Sequence, residues 1–304
     1  MTVAPSGEQF EISAGGQRAV IVEVGGGVRE YEVDGRAVLH PYPPGEMCDG
    51  AHGAPLIPWP NRLADGRYSF DGVEHQLPLS EPSRRNASHG LLRWRPWRAL
   101  EREADRVVMG ARLHPSPGYP FTLDVSIAYT LGESGLSVCT TALNIGEQAC
   151  PYGAGQHPYL APGEGLIDDC VLELPARTRL VTDDERELPT GREAVEGTAF
   201  DFRRPRRLGD LRLDSGFTDL ERDAAGLACC RLTRADGSTV ELWADERYAF
   251  IQLYSADTLA APRRRRGLAA EPMTCAPNAF RSGDGLVRLE PGASLSSSWG
   301  VRVR

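Results

Sequence analysis

Two polar residues in constrained backbone settings are the first candidates for chemistry. His157 lies in Gly153-Ala-Gly-Gln-His-Pro-Tyr-Leu160, where the following proline favours an extended backbone and the glycines permit a turn or a close approach. Glu271 follows the apolar run Leu268-Ala-Ala270 and precedes a proline, so we expect it at the end of a buried strand. A buried carboxylate is costly unless it is paired or functional. Glu271 is therefore a candidate general base, and His157 is either a proton-transfer group or a structural imidazole.

Two further segments carry side chains suited to binding a ligand. In Pro58-Trp-Pro-Asn-Arg-Leu63, the stiff backbone before Arg62 favours a defined contact for its planar guanidinium, either with a ligand or with a neighbouring carboxylate. His89 precedes the aromatic segment Arg93-Trp-Arg-Pro-Trp97. Tryptophans beside a histidine would suit the apolar faces of a sugar ring, although packing in the core is their more frequent use.

Aspartates and arginine runs add less specific candidates. Asp214 and Asp219 could each accept hydrogen bonds from ligand hydroxyls, but aspartate more often closes a turn. The four consecutive residues Arg263–Arg266 predict a solvated loop, since charge blocks usually avoid ordered structure. The alternative for this run is a clamp for an anion at the rim of a site.

Composition excludes several classes of function. The net charge is -8 and the chain contains no lysine, which argues against a general nucleic-acid surface, Schiff-base chemistry and a P-loop. The seven cysteines form no C-x-x-C pair, and the six histidines show no metal-ligand spacing. No G-x-S-x-G motif occurs. The segment Met1–Phe10 lacks a signal-peptide pattern and no apolar run could span a bilayer, so we expect a cytoplasmic protein without membrane or nucleic-acid partners.

The elements that must position these residues read as short strands. Asp-Gly pairs at 34–35, 71–72 and 236–237 separate alternating runs and predict tight hairpins. The strictly alternating run Leu123–Leu131 faces Leu136–Ile145 across a turn, and Gly285–Glu290 with Ser294–Val303 predicts a closing hairpin. Frequent glycine and proline leave little room for helices. The chain is predicted to be all-β, a large antiparallel sandwich or barrel formed by residues 1–304 as one domain.

Several segments, taken together and in the order in which they occur, resemble the aldose 1-epimerase (galactose mutarotase-like) family across about residues 20 to 302. The segments that carry the resemblance are Asn61-Arg62, Gly66-Arg-Tyr-Ser-Phe-Asp-Gly72, His89-Gly90, His157-Pro-Tyr159, Asp214 with Phe217, Glu271-Pro272 and Leu289-Glu-Pro-Gly292. The resemblance implies a large antiparallel β-supersandwich with its site in a cleft on one sheet. It also implies interconversion of the α and β anomers of a free aldose, without a metal or another cofactor and with a small-molecule sugar as partner.

The resemblance also assigns roles to individual residues. Glu271 is implied as general base and His157 as general acid. Arg62 and His89 are implied to bind and orient the sugar ring. Asp214 is similar to the aspartate of the family that hydrogen-bonds to sugar hydroxyls, and Asp219 is the alternative for that role.

Three other functions are alternatives, and the same residues favour them to different degrees. A hexose 6-phosphate epimerase could use Arg84-Arg85 or Arg263–Arg266 to hold the phosphate. A non-catalytic sugar-binding protein would have no use for the acid–base pair of His157 and Glu271. A hydrolase on a related sandwich would require two carboxylates that flank the scissile bond, and the sequence offers one well-placed candidate.

Overall fold

Antiparallel strands make up most of the structure, in agreement with the all-β prediction. In this computed structural model, which describes residues 3–304, two large sheets of twelve and nine strands are accompanied by three two-stranded sheets. Met1 and Thr2, which begin the segment examined for a signal peptide, lie outside the described residues. Across residues 3–304, no helix has the length and apolar character needed to cross a membrane.

The twelve-stranded sheet carries two of the candidate site residues, Asp214 and Glu271. Strands are numbered in chain order. Ten strands of this sheet follow one path, and two short strands lie off it. From edge to edge the path is β1 (Gln9–Ala14), β2 (Gln17–Val22), β3 (Val28–Val33), β4 (Arg36–Leu39), β16 (Tyr159–Leu160), β25 (Leu268–Met273), β24 (Phe250–Tyr254), β21 (Asp214–Leu220), β18 (Ala176–Thr182) and β19 (Pro189–Ala194), with β15 (Gly155–Gln156) and β5 (Pro55–Leu56) beside it.

The nine-stranded sheet contains the long hairpin and the strand nearest the C-terminus. Its order is β10 (Arg98–Arg102), β11 (Arg106–Leu113), β12 (Leu123–Gly132), β13 (Gly135–Asn144), β27 (Ser294–Val303), β23 (Thr239–Ala244), β22 (Ala228–Thr233), β17 (Val171–Glu173) and β20 (Arg206–Arg207). The two-stranded sheets are β14 (Cys150–Tyr152) with β26 (Val287–Leu289), β6 (Arg62–Ala64) with β9 (Asn86–Ser88), and β7 (Arg67–Phe70) with β8 (Val73–Gln76). The helices are Ala279–Ser282, which is α1, and the 3₁₀ turns Pro82–Arg84 and Ile167–Asp169.

The tight turns predicted from sequence are confirmed. At 34–35 and 71–72 both turn residues have positive φ, as a type I′ hairpin requires. The third Asp-Gly pair, 236–237, connects β22 to β23. The long hairpin β12–β13 pairs without interruption from Leu123 opposite Asn144 to Gly132 opposite Gly135. Side chains along β12 alternate strictly between buried and half-buried positions, so one face of this hairpin packs into the core.

The predicted closing hairpin is wrong. Val287–Leu289 pairs with β14, whereas Ser294–Val303 lies between β13 and β23 in the nine-stranded sheet. The turn between them is held by Asn144, whose side-chain amide donates to the Leu289 carbonyl at 2.8 Å while its backbone bonds to Gly292 and Ala293. Two neighbours let the long C-terminal strand bury more apolar surface than a single hairpin partner would, which explains the different pairing.

Aromatic residues fill the core. Trp97 is buried as the sequence predicts, together with Trp299, Tyr31 and Tyr129. Trp94, predicted as a second core residue, is instead 48% exposed, because its segment runs over the surface between β9 and β10. All seven cysteines are free.

Gly90 tests how tightly the segment after β9 is packed. Its φ is +70°, and a Cβ there would lie 2.0 Å from the Ile57 carbonyl oxygen, whereas Gly72 (φ +77°) has no atom within 4 Å of its ideal Cβ. Gly72→Ala should cost about 1–2 kcal/mol for the left-handed backbone alone. Gly90→Ala should cost about 2–5 kcal/mol, because the backbone must also move. Urea unfolding measures both, and equal losses would contradict the packing described.

Candidate active site

A cleft of about 280 Å³ brings together the side chains singled out from sequence. His157, Glu271, Arg62, His89 and Asp214 all line it. Its volume lies just below the ~300–1,000 Å³ typical of sites for drug-sized ligands. The cleft therefore suits a small molecule, and the charged and imidazole side chains that line it suit a polar one.

The register of the twelve-stranded sheet places His157 opposite Glu271. In the pairing with β25, Gly155 lies opposite Met273 and Tyr159 lies opposite Ala269, so position 157 falls opposite position 271. The two side chains meet, with His157 Nε2 3.2 Å from Glu271 Oε1. These residues are far apart in the chain, and the antiparallel pairing alone makes them neighbours.

Glu271 lies within β25, a strand whose residues are all buried, rather than at the end of the strand as the sequence suggests. The residue is 2% exposed, and within residues 3–304 its Oε2 atom has no hydrogen-bond partner. Burial raises the pKa of the Glu271 carboxyl well above its ordinary value; the nearby Asp214 acts in the same direction and Arg62 opposes it. Such a carboxyl group is poised to exchange a proton.

His157 is held between β15 and β16 by its own backbone. Its N–H donates to the Ala54 carbonyl at 3.1 Å, and its carbonyl accepts from the Gly53 N–H at 2.8 Å. Burial lowers the pKa of the His157 imidazole to about 3, and the neighbouring His52 acts in the same direction. In the described part of the chain, the buried Nδ1 atom has no partner.

The glycines before His157 serve packing between chain segments rather than approach to a ligand. A Cβ at Gly153 would lie 2.4 Å from the Cys275 sulfur. A Cβ at Gly155 would lie 2.9 Å from Pro60. Both glycines therefore let the segment before His157 lie close against its neighbours.

Arg62 is tied to three carboxylates while it lines the cleft. Its guanidinium lies 3.0 Å from Glu81, 2.6 Å from Glu187 and 3.6 Å from Asp214. Arg84 pairs with the same Glu187 carboxylate. Both interpretations of Arg62 thus apply to its position, since it is paired and also faces the cleft. The network fixes where the guanidinium points.

Of the two rival aspartates, Asp214 reaches the cleft. It begins β21, and its Oδ1 accepts a hydrogen bond of 2.6 Å from the Gln252 amide. Enclosure in the cleft raises the pKa of Asp214 to about 6, although Arg62 opposes this change. Asp219 lies at the other end of the strand, is exposed, and accepts a hydrogen bond from the Thr178 hydroxyl.

His89 occupies a left-handed backbone position at the edge of the cleft. Its φ is +61°, and its N–H donates to the Asn61 carbonyl at 2.9 Å. Its ring meets the His157 ring edge to face, with centroids 5.5 Å apart. Burial and the adjacent His157 hold the pKa of His89 well below its ordinary value, so this imidazole is neutral near pH 7.

Several residues that line the cleft or contact its lining are not identified by sequence reasoning. Glu187 comes from the turn between β18 and β19, and Gln252 lies opposite Glu271 on β24. Neither sits in a motif. Arg93 was noted only as part of an aromatic segment, yet its side chain lines the cleft. His52 stacks on Tyr159 with ring centroids 3.8 Å apart; its isolated position in the sequence offered no signal.

The arginine run 263–266 is not a uniformly solvated loop. Arg264 and Arg266 are exposed as expected, but Arg265 is buried and pairs with Asp168 and Asp257. Arg263 pairs with Glu46 and Asp49. Neighbouring carboxylates therefore neutralise Arg263 and Arg265. None of the four contributes to the cleft among the residues described there.

No group of three or more His, Cys, Asp or Glu residues between 3 and 304 is placed to hold a metal ion.

Comparison with solved structures identifies the class of fold. An aldose epimerase homologue from Caenorhabditis elegans superposes with a TM-score of 0.86 over 98% of both chains, at 18% identity. A galactose mutarotase-like protein from Clostridium acetobutylicum gives 0.84 over 97% of this chain and 94% of its own, at 19% identity. Both likenesses show the shared antiparallel β architecture and confirm the predicted supersandwich.

The model of the aldose 1-epimerase family matches residues 8–302, and the chain belongs to that family. It is 39% identical to the uncharacterized protein YihR of Escherichia coli K12, over 94% of this chain and 90% of that protein. It is also 34% identical to human galactose mutarotase, over 49% of this chain and 44% of that protein.

The ion pair between Arg62 and Asp214 can be tested by titration. Arg62 stabilises the charged form of Asp214, so Arg62→Gln should raise the Asp214 pKa from about 6 by roughly one further unit. Carbon-detected NMR of the side-chain carboxyl measures this change. Arg67→Gln, at an exposed arginine bonded to Gln76, is the matched control. An unchanged Asp214 pKa in Arg62→Gln would show that the two groups do not interact.

Proposed function

We propose that this protein is an aldose 1-epimerase that interconverts the α and β anomers of an aldohexose by opening and reclosing the pyranose ring. The observation that carries the proposal is the 3.2 Å contact between His157 Nε2 and Glu271 Oε1 inside the cleft. The anomeric hydroxyl and the ring oxygen are bonded to the same carbon. An acid and a base that serve these two oxygens must therefore lie within a few ångströms of each other, as these groups do.

In the proposed reaction, Glu271 removes the proton of the C1 hydroxyl while His157 protonates the ring oxygen. The bond between C1 and the ring oxygen breaks and C1 becomes an aldehyde carbon. Rotation about the C1–C2 bond presents the other face of the aldehyde. On reclosure, the oxygen on C5 returns its proton to His157, and Glu271 protonates the aldehyde oxygen. Each group thus ends in the state in which it began.

The electrostatics of the cleft favour one proton shared between His157 and Glu271, which is the proton that this cycle needs. Burial opposes the charged form of both groups, since it raises the pKa of Glu271 and lowers that of His157. Burial therefore favours the arrangement in which the two groups share one proton and the pair carries no net charge. Movement of that proton across the contact gives the carboxylate and imidazolium that ring opening uses. The net charge of the pair stays zero in both arrangements.

The remaining site residues act on the sugar in this proposal. Asp214, ionised above about pH 6, accepts hydrogen bonds from ring hydroxyls, and Arg62 donates to them. His89, neutral and adjacent to His157, orients the ring through the imidazole atom Nδ1, which has no partner in the described residues. We further propose a cytoplasmic protein in which residues 1–304 act as one domain on a free sugar.

Substitution of the acid and the base tests the proposed reaction. Each positioned acid or base typically contributes about 10²–10⁴-fold to the rate. Glu271→Gln and His157→Asn should each lower kcat for anomer interconversion by at least ~10²-fold. Polarimetry on freshly dissolved α-D-glucose and α-D-galactose measures the rate above the spontaneous one.

Matched controls separate chemistry from folding. Glu246→Gln and His114→Asn make the same chemical changes at exposed positions and should retain the rate of the unsubstituted protein. Circular dichroism should show the same β-rich spectrum for all four variants. Unsubstituted rates in Glu271→Gln and His157→Asn would refute the assignment of the acid and base.

A further inference from the structure

One cationic side chain in the cleft has no use in the chemistry above. Arg93 lines the cleft and is half-buried. Across residues 3–304 its guanidinium has no carboxylate within ion-pair distance, and it lies over the ring of Trp94, 5.2 Å from the centroid. Burial lowers the pKa of Arg93, although Cys48 and the Glu81 carboxylate act in the opposite direction.

The other arginines of the cleft are neutralised by the protein. Arg62 is paired with three carboxylates and Arg84 with Glu187. The chain therefore places carboxylates against two of its cleft guanidiniums and leaves the third facing the cavity. A planar guanidinium with free N–H groups is suited to bind an oxyanion through two parallel hydrogen bonds.

The position of Arg93 indicates which part of the sugar it would meet. Arg93 follows His89 by four residues, and the His89 ring meets the His157 ring with centroids 5.5 Å apart. In agreement with this placement, the charge of Arg93, like that of Arg62, lowers the pKa of both histidines. Arg93 thus lies toward the end of the cleft where His157 would serve the ring oxygen. The carbon next to the ring oxygen, opposite C1, is C5, and C5 carries the exocyclic carbon of an aldohexose.

A second polar group on the same segment supports an acceptor at this end. Ser88 is 3% exposed and lines the cleft, and its hydroxyl has no partner among the residues described. Its backbone is held by the Ser80 hydroxyl at 2.7 Å, so the side chain remains available. A hydroxyl group that lines the same cleft can give an oxyanion a second hydrogen-bond donor.

We propose that the substrate is an aldohexose with an oxyanion on its exocyclic carbon, and that Arg93 binds this anion. The proposal rests on the proposed function, since the orientation of the sugar follows from the roles of His157 and Glu271. A carboxylate, a sulfate ester and a phosphate share the required chemistry. They differ in shape and charge, so the substrates used below separate them.

The experiment compares four sugars: glucose, glucuronate, glucose 6-sulfate and glucose 6-phosphate. NMR exchange spectroscopy gives kcat/KM for anomer interconversion above the spontaneous rate in the same buffer. At least one anionic sugar should exceed glucose by tenfold or more. Arg93→Gln should lower the ratio of anionic to neutral kcat/KM by about tenfold to a hundredfold, as expected for a hydrogen bond to a charged group. Arg93→Lys, which keeps the charge and loses the fork, should retain part of the preference.

Controls separate this proposal from the proposed function. Arg95→Gln, at an exposed arginine two residues away, should leave all four rates unchanged. Interconversion of glucose with no preference for any anionic sugar would overturn the role of Arg93 alone. If no sugar is interconverted, the proposed function fails. Calorimetry with inorganic sulfate and phosphate then decides on Arg93, since saturable binding lost in Arg93→Gln supports the anion site and its absence overturns it.

Discussion

The contact between His157 and Glu271 is the interaction on which the rest of the site depends. It exists because β16 and β25 are antiparallel neighbours in a register that sets position 157 opposite position 271. The same strand pairing buries both groups, and burial makes the charged form of each unfavourable. A one-residue slip in this register would turn the carboxyl to the other face of the sheet. Backbone hydrogen bonding in the sheet therefore determines the proton chemistry available in the cleft.

Charge in the cleft is arranged by the network around Arg62. Glu81, Glu187 and Asp214 come from three distant parts of the chain and meet on one guanidinium, whose five donors can serve several oxygens at once. A lysine ammonium would offer neither the planar fork nor the same number of donors. Burial nevertheless leaves Asp214 with a raised pKa, since the opposing effect of Arg62 is the smaller one. Within residues 3–304 Arg93 has no carboxylate at ion-pair distance, so the cleft holds one arginine that is neutralised by direct partners and one that is not.

Much of this architecture was predictable because local rules determine it. The Asp-Gly turns and the alternation of β12 and β13 depend on backbone conformation and side-chain period, which are legible in a few adjacent residues. Glu271 could be found because a carboxylate in an apolar run is rare. Gln252 and Glu187 could not, since their importance arises from pairing between distant segments. The prediction of a C-terminal hairpin was wrong for the same reason. Proximity in sequence favoured the hairpin, whereas burial of β27 between β13 and β23 determined the observed pairing.

The central place of β27 in the nine-stranded sheet has a consequence for biosynthesis. β13 and β23 are both made long before Ser294–Val303, yet in the finished molecule each hydrogen-bonds to that strand. Until the ribosome has released these residues, two exposed strand edges must wait on either side of an unfilled gap. Unpaired edges invite association with other chains. The interval between the synthesis of β23 and that of β27 is therefore the period in which these two edges of a nascent chain are open to pairing with other chains.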